Sequence, residues 1–143
     1  MWFERLKVIR FHHCDPAAII FYPQYFVLFH ELMEEWFTEG LHTNYGTYIR
    51  EQRLGVPAVR AECDFTAQSR LGDEVLFRLQ PVKLGNSSLT FTAEALAGSE
   101  LRARAQITVV QMSLESRKAV PFDATLRARI EAFLAPAAGA TPA

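Results

Sequence analysis

Several common kinds of chemistry are excluded by what this chain lacks. It has two cysteines, Cys14 and Cys63, so one disulfide is the arithmetic maximum, and reduced thiols are expected. It has no Gly-x-Ser-x-Gly elbow, which removes the serine hydrolases built on that turn. It has no glycine-rich loop of the kind that cradles phosphates. Neither sign of charge is in excess: 15 Lys and Arg face 16 Asp and Glu, for a net charge of −1. That balance gives no electrostatic footprint for nucleic acid or an anionic membrane, although local basic clusters could still hold a small anion. No apolar run approaches the roughly 20 residues that span a bilayer. The first seven residues carry charges where a signal peptide has an apolar core. A cytoplasmic protein with neither nucleic acid nor membrane as partner is expected.

What is present is an ordinary globular composition over 143 residues, half of them hydrophobic and 22% charged. That is enough for one domain with a sizeable core. Residues 1–134 are expected to form it, and residues 135–143, rich in Ala, Gly and Pro, to be a disordered tail.

The apolar spacing changes along the chain. Residues 5–11 read as a strand in which Leu6 and Val8 alternate with Arg5 and Lys7. Residues 12–22 read as a loop with a possible helical turn opened by Pro16. From Pro23 to about Glu39 the apolar residues recur at three and four, through Tyr25, Phe26, Leu28, Phe29, Leu32, Met33, Trp36 and Phe37. Gly40 is a natural stop. A stripe this wide predicts a helix wrapped on most sides. A short second helix is expected within 43–53. Period-two runs then follow at 59–68, 75–79, 88–95 and 101–109, broken by Gly72-Asp73, Gly85-Asn86 and Gly98-Ser99. They predict an antiparallel meander with one buried face. Pro121-Phe122-Asp123 opens a short amphipathic helix. The expected fold class is α+β: a long buried helix wrapped by a curled antiparallel sheet of about five strands.

Chemistry concentrates at residues 10–26. The run His12-His13-Cys14-Asp15 superficially resembles a metal cluster, but neighbours on an extended segment point to opposite faces and rarely converge on one ion. No metal site is assigned. Asp15, followed by Pro16, reads as a turn or N-cap aspartate. It also sits against Ala17, Ala18, Ile19, Ile20 and Phe21 and just before a long helix. A partly desolvated carboxylate beside unpaired helix N–H groups has a second reading, as a reactive group acting on a polarised carbonyl, which spacing alone favours less than the turn.

The segment Phe11 to Phe26, centred on Asp15-Pro16-Ala17-Ala18-Ile19-Ile20-Phe21-Tyr22-Pro23, resembles the signature of the 4-hydroxybenzoyl-CoA thioesterase family, a branch of the hotdog-fold acyl-CoA thioesterases. The strand around Cys63 to Ser69, the turn Arg70-Leu71-Gly72-Asp73 and the segment Lys83-Leu84-Gly85-Asn86-Ser87-Ser88 are similar to later family segments in the expected order. The resemblance implies a hotdog fold and hydrolysis of an aromatic or short-to-medium-chain acyl-CoA to the free acid and CoA. It implies Asp15 as nucleophile or general base and the Tyr22 backbone N–H as the group that polarises the thioester oxygen. It places Ala18 and His30 beside the substrate: the family often has Gly at the first position, and the hydroxybenzoyl branch has an acidic residue at the second. Lys83, Asn86 and Ser87 fall where CoA is held, with Arg70 as a further candidate, and Asn86 stands where the family often has Arg. No cofactor is implied beyond the CoA of the substrate. The resemblance also implies a homodimer or a dimer-of-dimers homotetramer, with the active site at the interface. Two alternatives remain open on the sequence, a hydroxyacyl-thioester dehydratase using His12 or His13 and a non-catalytic acyl-binding hotdog domain.

Overall fold

A computed structural model describes residues 1–136; the expected tail lies outside them from residue 137 onward. Strand β1 (Phe3–Val8) leads through a 3-10 turn (Phe11–His13) to helix α1 (Pro23–Glu35). This helix widens into a π turn (Trp36–Gly40) before α2 (Tyr45–Arg50). There follow β2 (Leu54–Gly55), β3 (Ala58–Phe65), β4 (Glu74–Leu84), β5 (Ser88–Ala97), β6 (Glu100–Val110), β7 (Met112–Ser113) and α3 (Ala124–Glu131).

Helix α1 begins where the sequence says it should. Pro23 takes the first helical position, where its missing N–H costs nothing. Tyr25, Leu28, Phe29, Leu32 and Met33 form its buried stripe. They join one core with Phe77 and Leu79 of β4, Phe91 and Ala93 of β5, and Ala103 and Ala105 of β6. Bulk on the helix is met partly by alanines on the sheet, which lets the two layers approach closely. At the other end, Asp123 caps α3 by accepting from the Leu126 N–H at 2.7 Å.

Three features differ from the sequence pattern. First, the sheet is not curled round the helix. It is an open five-stranded antiparallel sheet in the order β1-β4-β5-β6-β3, whose end strands do not pair. Five strands are too few to close at ordinary twist. The helix needs cover on one side only, since Val27, His30 and Glu31 on its other side are exposed. Second, β3 does not continue the β4-β5-β6 meander. Residues 66–73 carry the chain from β3, paired with β6 on one edge, to β4 near the opposite edge. Third, β1 turns Arg5 and Lys7 toward α1 and leaves Leu6 and Val8 exposed. Lys7 Nζ lies 2.6 Å from Glu35 Oε1 and 3.5 Å from Glu31 Oε2, and Arg5 pairs with Glu35 and Glu39. The acidic face of the helix draws the basic face of the strand inward.

Candidate functional site

Asp15 stands at the first corner of a tight hairpin. Cys14 bridges Ile20, the Asp15 N–H donates to Ile19 O at 2.9 Å, and the Phe21 N–H donates to His13 O at 2.9 Å. The turn itself is closed by the Ala18 N–H on Asp15 O at 3.0 Å, with Ala18 in the left-handed region at φ 62°. Pro16 therefore opens a turn and not a helical one. The carboxylate is half-buried. Its Oδ1 accepts from the Ala17 N–H at 2.8 Å, an Asx turn, and Oδ2 has no donor among the described residues. Asp15 is thus not the cap of α1, a position taken by Tyr22.

The hairpin feeds directly into that helix. The Gln24 N–H is spent on Phe21 O at 2.8 Å and the Tyr25 N–H on Tyr22 O at 3.1 Å, and Pro23 has none. The Tyr22 N–H has no acceptor among the described residues. A free N–H at the positive end of a 13-residue helix, joined to a carboxylate by one short hairpin, can polarise a carbonyl that the carboxylate attacks. The Tyr22 ring is exposed and packs edge-on against Phe65 at 5.7 Å.

An apolar cavity of about 220 Å³ runs between α1 and β3, lined by Phe26, Phe29, His30 and Met33 on one side and by Val56, Ala58, Ala61 and Ile107 on the other. Phe26 and His30 follow Tyr22 at intervals of four, so His30 lies about 12 Å along the helix axis from Tyr22. His30 Nε2 lies 3.1 Å from Glu34 Oε2, one turn further on, and its ring meets Tyr45 edge-on. Ala18 is exposed on the hairpin, away from these lining residues.

The residues assigned to CoA do not gather in one place. Arg70 is beside the hairpin, where its backbone bridges Ile19. Lys83, Asn86 and Ser87 lie at the far end of β4, about 30 Å away at the rise of an extended strand. There the Asn86 carbonyl accepts from the Phe122 N–H and from Arg127 Nη2, and the Ser87 carbonyl accepts from the Gln111 N–H at 2.7 Å. Arg127 is a cation at this tip that the sequence pattern leaves as one more charge on α3, since nothing local links it to a residue 41 positions earlier. Ser69 and Arg102, which bind the loop behind the hairpin, were likewise not legible.

The remaining reactive side chains are otherwise engaged. His13 is buried, its Nδ1 accepts from the Arg10 N–H at 2.9 Å, and burial holds its pKa below the ordinary histidine range. Both thiols are free, and burial pushes Cys63 up to about 11 and Cys14 upward as well. Among the described residues no three His, Cys, Asp or Glu side chains are placed to hold a metal ion, and no helix is long and apolar enough to cross a membrane.

Comparison with known proteins bears on this geometry. A model of the thioesterase-like superfamily matches residues 9–130. A 1,4-dihydroxy-2-naphthoyl-CoA hydrolase of Synechococcus sp. (strain CC9605) is 28% identical over 122 residues, covering 82% of this chain and 81% of that protein. The crystal structure of a 1,4-dihydroxy-2-naphthoyl-CoA thioesterase from Synechocystis superposes with a TM-score of 0.82 at 24% identity, covering 91% of this chain and 96% of the other. A thioesterase superfamily protein from Jannaschia sp. CCS1 gives a TM-score of 0.85 at 24% identity and covers 94% of each chain.

Proposed function

The chain belongs to the thioesterase-like superfamily and is a thioester hydrolase, and from that premise we propose that it hydrolyses an aromatic acyl-CoA, with Asp15 as the catalytic carboxylate and the Tyr22 N–H as the donor to the thioester oxygen. The observation that carries this reading is the hairpin at residues 14–20, which delivers a carboxylate with one unpartnered oxygen and a free helix N–H from the same short stretch of chain. The thioester oxygen accepts from the Tyr22 N–H, and the helix dipole stabilises the negative charge that develops there. Asp15 either attacks the carbonyl carbon, expelling CoA as thiolate and leaving a mixed anhydride for water to open, or takes a proton from the attacking water. Both routes give the acid and CoA.

The aromatic acyl preference has two supports. The cavity along α1 is apolar and framed by Phe26 and Phe29, with His30 at its far end. Two relatives are named for a dihydroxynaphthoyl thioester. A self-associated protein completes the reading. β3 is an unpaired edge, and an antiparallel pair of β3 strands brings the hairpin tip of one copy, with Lys83, Asn86 and Ser87, toward the Asp15 end of the other.

The test is Asp15→Asn, which keeps an acceptor for the Ala17 N–H and removes only the charge. We expect kcat for thiol release from an aryl-CoA to fall by about a hundredfold or more, with the fold intact. Near-full activity of Asp15→Asn on the best substrate of an acyl-CoA panel sinks the assignment, and a best substrate with a saturated chain sinks the aromatic preference alone.

A further inference from the structure

Ser69 is fully buried, and its two polar groups serve two different parts of the site. Its carbonyl accepts from the Ile20 N–H at 2.9 Å, and the neighbouring Leu71 N–H donates to Ala18 O at 3.0 Å, so the Asp15 hairpin hangs on residues 69–71. Its hydroxyl lies 2.8 Å from the Tyr25 hydroxyl, in the first turn of α1 and three residues beyond Tyr22. The chain from Ile20 to Tyr25 is the hinge at which the carboxylate's hairpin meets α1; it contains Tyr22, and Ser69 spans it.

One guanidinium holds Ser69 in that position. Arg102 Nη1 donates to Ser69 Oγ at 3.2 Å, to Gln68 O at 2.8 Å and to Asp73 Oδ2 at 3.0 Å. Asp73 Oδ2 also accepts from the Arg70 N–H at 2.9 Å. Residues 68–73 are therefore gripped at both ends. The Arg70 N–H and Arg102 hold the Asp73 carboxyl below the usual carboxylate range, and burial keeps the Tyr25 hydroxyl protonated.

We propose that Ser69 is a positioning residue that fixes the Asp15 carboxylate relative to the Tyr22 N–H, and that Arg102 holds it in register. The proposal rests on the reading of Asp15 and Tyr22 as the catalytic pair. Ser69 touches no substrate; it acts by denying the hinge the freedom to move the carboxylate away from a carbonyl held on the helix. A displacement of about an ångström in such a pair lowers turnover by about a hundredfold.

Tyr25→Phe is the test, because it deletes one hydroxyl and leaves the ring among Phe29, Phe65 and Phe77. We expect kcat to fall ten- to a hundredfold while KM stays within twofold, and amide exchange across residues 14–22 to quicken. Ser69→Ala should lose as much, and the double variant no more than either, because the two hydroxyls act as one unit. Tyr48→Phe is the control: it also deletes a buried tyrosine bond, to Gln111 Oε1 at 2.9 Å, but at the opposite end of the sheet. It should leave both kcat and exchange at 14–22 unchanged. The proposal is overturned if Tyr25→Phe keeps kcat within twofold, if Tyr48→Phe loses as much, or if exchange at 14–22 does not change. Should Asp15→Asn keep its activity, the catalytic reading falls on its own, and the exchange measurement still decides whether Ser69 holds the hinge.

Discussion

Ala18 holds its backbone at φ 62° while carrying a methyl group that points into solvent. The left-handed region costs an ordinary L-residue about 1–2 kcal/mol, and glycine avoids that cost at the expense of some chain entropy. Ala18→Gly should therefore stabilise the protein by about 0.5–1 kcal/mol, since no buried contact is lost. The shift should be visible as a higher midpoint in urea at unchanged slope; an unchanged or lower midpoint would show that the hairpin does not feel the strain. The left-handed backbone of Ala18 is no part of the sequence pattern, but residues 14–22 are neighbours in space as well as in sequence. Asp15, Ala18 and Tyr22 stood out in one short segment for that reason. Ser69 and Arg102 did not, because their roles depend on partners more than 30 positions away. Arg102 falls on the outward-facing register of a strand, where alternation predicts only a solvated charge.

Among the elements, α1 was the most legible, because only a helix gathers aromatic residues spaced at three and four onto one face. Gly40 reads as a stop signal, and it is the last residue of the π turn that ends the helix, packed against the core. A Cβ built there would sit 2.6 Å from Trp36 Cδ1, 3.2 Å from Phe3 Cδ1 and 3.3 Å from Phe133 Cζ. Trp36 is fully buried and edge-on to both Phe37 and Phe133, so its ring has nowhere to go. Gly40→Ala should cost about 1–3 kcal/mol through overpacking, against the gain of a few tenths to one that Ala gives in an exposed helix. A thermal melt decides between them, and an unchanged or raised midpoint would mean that the turn relaxes. The runs at 88–95 and 101–109 lie close to the observed Ser88–Ala97 and Glu100–Val110, whereas the run at 75–79 stops five residues short of the end of β4 at Leu84 and the run at 59–68 passes the end of β3 at Phe65. The order of the strands was not legible, because period-two alternation records which face a residue takes and not which strand lies beside it. In β1 the polar register is the one turned toward α1, where Arg5 and Lys7 pair with Glu31, Glu35 and Glu39, while Leu6 and Val8 are exposed.

For the whole molecule the decisive fact is that the sheet stays open. An open sheet has two edges, and they are not alike. β1 is short, with basic side chains pinned to α1, whereas β3 has Val59 and Phe65 exposed along its eight residues. Unprotected edges pair, and antiparallel pairing across β3 reverses one sheet against the other. That reversal answers a difficulty the single chain cannot. Asp15 and Arg70 lie where β3 ends and β4 begins, and Lys83, Asn86 and Ser87 lie where β4 ends and β3 begins. A CoA thioester reaching both groups within one copy would have to run the length of the sheet; across a β3 pair the two groups face each other from different copies. The protein should therefore scatter light with at least twice the mass of one chain at micromolar concentration. Val59→Lys, which places a charge on the exposed edge without touching the core, should shift the mass toward one chain. With it, KM for an acyl-CoA should rise severalfold more than for an acyl thioester of a short thiol lacking the nucleotide if the second copy holds the nucleotide as proposed. A wild-type protein that is strictly monomeric, or a dissociated variant with both KM values unchanged, would place the CoA site within a single chain.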